Sequence, residues 1–147
     1  MLARREYSSG ELAAALTSKG YTPDAAAGAI AALLGERLLD DHRYAESLVR
    51  VLTGRGQGPV RIRQALAQSL LEESLIEAAL EGGPDFGQLA AEVRRRKFGA
   101  GVPGEWVERA RQMRFLQYRG FSKDHIASAL GRSGADDLPD ALTETDP

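Results

Sequence analysis

The sequence has no cysteine and only two histidines, His42 and His125. Disulfides, thiolate metal clusters and a Cys nucleophile are therefore excluded, and two imidazoles are too few for a His-built zinc site. They also make a poor start for a Ser/His triad. No apolar run reaches the roughly 18 residues that a membrane-spanning helix needs. The opening residues MLARREYSSGEL lack the apolar core of a signal peptide, so a cytoplasmic location is expected. Valine and isoleucine are few, and no stretch alternates apolar and polar residues over a strand's length. What is present is 147 residues, 43% hydrophobic and 27% charged, enough to bury a core without a metal or disulfide.

The net charge of −2 hides an uneven distribution. Residues 135–147 hold five acids (Asp136, Asp137, Asp140, Glu144, Asp146) and no base. Residues 85–134 carry ten bases against five acids, or +5, and residues 1–84 carry nine against eleven, or −2. A local positive field matters more to a partner than the whole-chain sum.

Alanine and leucine dominate, and the glycines and prolines fall between candidate helices, at 54–58, 82–84 and 99–104. The chain reads as all-α. It also repeats itself. ELAAALTSKGYTPDAAAGAI (11–30), RIRQALAQSLLEESLIEAAL (61–80) and RQMRFLQYRGFSKDHIASAL (111–130) align at an offset of 50 residues without a gap. Leu16, Leu66 and Leu116 coincide, as do Gly20, Leu70 and Gly120, then Tyr21, Leu71 and Phe121.

Each unit reads as helix, tight turn, helix. Gly20 and Gly120 suit the left-handed residue past a helix end, and Tyr21 and Phe121 are expected to bury a ring at the corner. Thr22 before Pro23, and Ser122, read as N-caps. Leu70 breaks the pattern, because a leucine at positive φ is costly. The second turn is therefore expected to differ in backbone, or its helix to run on. Further helices are expected over 41–52, capped by Asp40, and over 85–98. The first unit has only residues 2–7 in that place, a stub, followed by a capping-box pattern at Ser8 and Glu11. The expected organisation is three tandem three-helix repeats, 1–39 with a shortened first helix, 40–82 and 85–132. An acidic tail, 133–147, is expected to be disordered. Repeats that touch only their neighbours give an elongated surface.

The stretches LARREYSSGEL (2–12), LLDDHRYAESLVR (38–50), GRGQGPVRIRQAL (54–66), RRRKFG (94–99) and RFLQYRGFSKDHIASAL (114–130), in this order and spacing, resemble the RecX family of bacterial regulators of the RecA recombinase. The resemblance spans roughly residues 2–131. It implies tandem three-helix repeats in a curved molecule that binds RecA, especially its filament on single-stranded DNA, and inhibits its ATPase and strand exchange. It further implies a part in recombination, DNA repair and the SOS response, with weak direct DNA binding. Family members usually carry a longer segment before LARREYS; many are also strongly basic, whereas this chain is mildly acidic overall, so here filament binding is favoured over independent DNA binding.

The candidate contact residues are basic. Arg94, Arg95, Arg96 and Lys97 end one helix; Arg111, Arg114, Arg119 and Lys123, with Arg109, follow on the next two; Arg50, Arg55, Arg61 and Arg63 surround the glycine-rich loop. Arginine forks suit phosphate and carboxylate alike, although bases at a helix C-terminus also serve the macrodipole alone. GRGQG (54–58) has no following Lys-Ser/Thr and no preceding strand, so it is expected to be a flexible connection or hinge rather than a phosphate loop. Asp40 and Asp41 are expected to cap a helix, Trp106, Phe115 and Phe121 to pack, and Tyr118 to be half exposed. The expected reading is a non-enzymatic, monomeric regulator without cofactor, metal or membrane contact. The alternative is a helical DNA-binding module acting without RecA, for which no recognition helix rich in Asn, Gln and Arg is apparent.

Overall fold

The computed structural model describes residues 6–131. Residues 2–5 of the expected stub and the expected disordered tail lie outside them; Glu6 and Tyr7 are not helical. Eight α-helices and no strand are found among the described residues: α1 (Ser9–Ser18), α2 (Pro23–Gly35), α3 (Asp41–Gly54), α4 (Pro59–Gln68), α5 (Glu73–Glu81), α6 (Phe86–Phe98), α7 (Trp106–Tyr118) and α8 (Lys123–Leu130).

The helix starts follow from local chemistry. Ser8 and Glu11 close a reciprocal capping box on α1, Thr22 caps α2 with Pro23 in its first turn, and Ser122 caps α8. Asp40 Oδ1 accepts from Arg43 N at 3.1 Å at the start of α3. Gly20 and Gly120 both take φ +98° past their helix ends. The amides of Tyr21 and Phe121 reach back to the carbonyls of Leu16 and Leu116, at 3.1 and 3.2 Å.

The chain forms two compact units, Met1–Arg50 with Arg63–Gly82, and Val51–Ile62 with Gly83–Pro147. The divide falls inside α3 and α4, so the second repeat contributes to both. In the first unit Leu12, Ile30 and Leu39 form a core that Tyr7, Ala13, Leu16 and Leu33 pack against. The three coincident leucines all face cores: Leu66 and Leu116 are completely buried and Leu16 is half-buried. In the second unit α8 packs chiefly on α6, burying Ile126, Ala129 and Leu130.

One junction recurs in each unit. In the first, Ser8 Oγ donates to the carbonyl of Ser69, and a Cβ on Gly10 would sit 2.6 Å from the Leu70 oxygen. In the second, 50 residues on, Gly58 N donates to Arg119 O at 2.7 Å and Val60 N to Gly120 O at 2.9 Å. A helix start of one repeat thus sits on the turn of the next.

That junction explains three departures from expectation. Leu70 does adopt the left-handed conformation, at φ +60°. The strain of roughly 1–2 kcal/mol is offset because α1 and Tyr44 hold the turn, with Tyr44 Oη 3.0 Å from Ser69 Oγ. Tyr21 is 55% exposed where Phe121 is 3% exposed. Gly120 lies under Arg61 of an arriving helix start, whereas nothing approaches Gly20 within 4 Å. The glycine-rich loop is not a loose hinge: Gly58 is pinned to the turn at 119–120, and a Cβ at Gly56 would meet Val93 at 3.2 Å. Trp106 is half exposed on the first turn of α7, and Phe115 is only partly buried.

Candidate partner-binding surface

The last turn of α6 carries Arg95, Arg96 and Lys97, favourable at the negative end of the helix dipole. All three are exposed. Phe98 closes the helix and meets Phe115 of α7 edge-on, with centroids 5.3 Å apart and planes at 88°. Cations surround this pair. Arg111 lies 5.2 Å over Phe98, Arg119 lies 5.1 Å from the Phe115 centroid, and Lys97 Nζ lies 5.8 Å from it. Arg61 stacks 4.5 Å over the exposed ring of Tyr118 and donates to that residue's carbonyl. Arg119 donates to Arg55 O at 3.0 Å. The rings hold the guanidinium planes while leaving donors for a partner.

This second unit therefore gathers Arg61, Lys97, Arg111 and Arg119 about three aromatic rings, with Arg55 joined to Arg119 through its backbone carbonyl. Arg95, Arg96, Arg114 and Lys123 belong to the same unit. Its described residues carry 11 basic against 5 acidic side chains, or +6. The described residues of the first unit carry 5 against 11, or −6.

Four of the expected contact residues stand apart. Arg94 is 3% exposed, and its guanidinium donates to the carbonyls of Gly99, Ala100 and Gly101 and to Gln112 Oε1, at 3.1–3.4 Å. It fastens the loop after α6 to α7 and is not presented to a partner. Arg63, in the first unit, is spent on Glu73 and Glu77, at 2.7 and 2.6 Å. The hydrogen bond it donates to Glu77 raises its pKa above the ordinary arginine value. Arg50 is exposed on α3, also in the first unit.

Arg109 shares the clamping role: buried, it donates to Pro103 O and Gly131 O, each at 3.1 Å. Sequence alone could not separate it from its neighbours, because the acceptors are backbone carbonyls of loops. Phe98 as a platform for Arg111 was likewise hidden, since a loop lies between them.

The remaining polar candidates have structural work. Asp41 accepts from Ser9 N and Oγ at 2.7 and 2.6 Å. His125 Nδ1 lies 2.8 Å from the capping Ser122 Oγ. A shallow cleft is lined by Glu6, Tyr7, Leu38, Asp40 and Arg43, with Glu6 paired to Arg43 at 2.9 Å. No His, Cys, Asp or Glu group suited to a metal, and no helix long and apolar enough to cross a membrane, occurs among the described residues.

Comparison with known proteins fits this architecture. Models of the first, second and third three-helix domains of RecX match residues 1–33, 40–80 and 87–130. The chain belongs to the RecX family. It is 44% identical over 138 residues to the regulatory protein RecX of Halorhodospira halophila, covering 93% of this chain and 86% of that one. A Pseudomonas fluorescens regulatory protein RecX is 42% identical over 93% of this chain and 89% of its own. That of Vibrio vulnificus is 41% identical over 88% and 86%. The three RecX domain models correspond to the three repeats, the first being the shortest. The basic and aromatic layer of the second compact unit draws on residues of the second and third domains.

Proposed function

We propose that this RecX-family chain regulates the RecA recombinase in the cytoplasm by binding, as a monomer, the RecA filament on single-stranded DNA. It lowers the filament's ATPase and strand exchange, and through them recombination and the SOS response. The observation that carries the reading is the cation-dressed Phe98–Phe115 pair with exposed Arg95, Arg96 and Lys97 beside it. A filament offers phosphates and acidic protein side chains, and arginine forks pair with both. The surface has no catalytic step to perform. Bound protein hinders addition of protomers and the conformational cycle that couples ATP hydrolysis to strand exchange.

The test is the ATPase rate of DNA-bound RecA against increasing amounts of the chain, beside binding to free RecA, naked single-stranded DNA, duplex DNA and filaments over a salt series. The expected result is a dose-dependent fall in rate, and tighter binding to filaments than to either component. Binding to naked DNA that falls steeply with salt and is unchanged by RecA would instead identify a DNA-binding module.

A further inference from the structure

We propose that the acidic segment 135–146 docks on the cationic face of the second unit of its own chain and competes there with the partner's phosphates and carboxylates. This deepens the proposed function, since the face concerned is the one assigned to the filament.

Three observations carry it. First, the point of departure is fixed. Gly131, the last described residue, has its carbonyl held at 3.1 Å by Arg109, whose other terminal nitrogen is held at 3.1 Å by Pro103 O. The described chain therefore ends beside α7, the helix that also carries Arg111, Phe115 and Tyr118. Second, the reach suffices. Arg109 and Arg119 are ten residues apart, about 15 Å along a helix. Asp136 follows Gly131 by five residues, roughly 17 Å when extended, and sixteen residues span about 50 Å. Third, the charges match. Residues 132–147 carry one base and five acids, or −4, while the described second unit is +6 and the first −6. The first unit repels the segment and the second attracts it. Trp106 and Val107, 50% and 70% exposed, lie within one turn of Arg109, and the segment places Leu138 and Leu142 among its acids. Short acidic runs on arginine forks are salt-sensitive, so the contact is one a polyanionic partner can displace.

The absence of cysteine makes a direct test simple. In the full chain Ala141→Cys supplies a single thiol for a nitroxide label, and amide signals of the isotopically enriched protein are read without any partner. The expected result is loss of signal at 95–97 and 111–119 but not at 12–18. The loss should disappear at high salt and when Asp136, Asp137, Asp140 and Asp146 become Asn and Glu144 becomes Gln. No loss, loss in the first unit, or loss that needs a second labelled chain overturns the proposal. In a second arm the neutralised full chain should bind RecA–DNA filaments several-fold more tightly than the parent at low salt, and equally at high salt. Equal affinity throughout also overturns it. If the label reports docking but filaments are not bound at all, the regulatory reading fails and the docking stands. If filaments are inhibited without docking, only the docking fails.

Discussion

Gly10 and Gly58 each stand where a helix start meets the following repeat's turn. A Cβ at Gly10 would lie 2.7 Å from Leu70 Cβ, and one at Gly58 2.5 Å from the Gly120 carbonyl carbon. Neither neighbour can yield, because both belong to turns. Gly10→Ala and Gly58→Ala should each cost about 1–3 kcal/mol, read as a lower urea midpoint. Leu70→Gly should behave unlike an ordinary leucine loss. The side chain is 54% exposed and the residue left-handed, so relief of strain and loss of packing leave stability within about 1 kcal/mol. A large loss on that substitution would show that the side chain, not the backbone, holds the turn. The aligned sequence placed Gly20 and Gly120 correctly but not Leu70, because local cost ignores what packs against the turn. Contacts from Ser8 and Gly10, some 60 residues away, decide it.

Among the elements, α6 shows how one run of bases divides into two jobs. Adjacent residues on a helix point about 100° apart, so Arg94 turns into the loop after α6 while Arg95 and Arg96 face solvent. Arg94→Ala leaves several loop carbonyls and Gln112 without their donor and should cost about 3 kcal/mol. Arg95→Ala and Arg96→Ala should each stay within about 0.5 kcal/mol. The triple change Arg95, Arg96 and Lys97 to Ala should weaken inhibition of the RecA ATPase with helix content and melting temperature preserved. Loss of folding in the triple variant would mark the run as structural. The helices themselves were legible, because caps such as Ser8, Thr22, Asp40 and Ser122 act within four residues. The loop from Gly99 to Glu105 was not, since its shape is set by buried guanidiniums whose carbonyl acceptors carry no sequence signature.

For the whole chain, the repeat was readable because a 50-residue period survives in leucines that face cores. The compact units were not, because each is closed by a contact between residues of successive repeats, Ser8 with Ser69 and Gly58 with Arg119. Counting charges by stretch found a positive third. Only the contacts that draw Arg55 and Arg61 to Tyr118 and Arg119 reveal that the described units carry −6 and +6. A sequence pI near 5.7 would send a purifier to an anion exchanger. A chain so divided should instead be retained at neutral pH by resins of either sign, and on heparin most firmly once the acids of its last residues are removed.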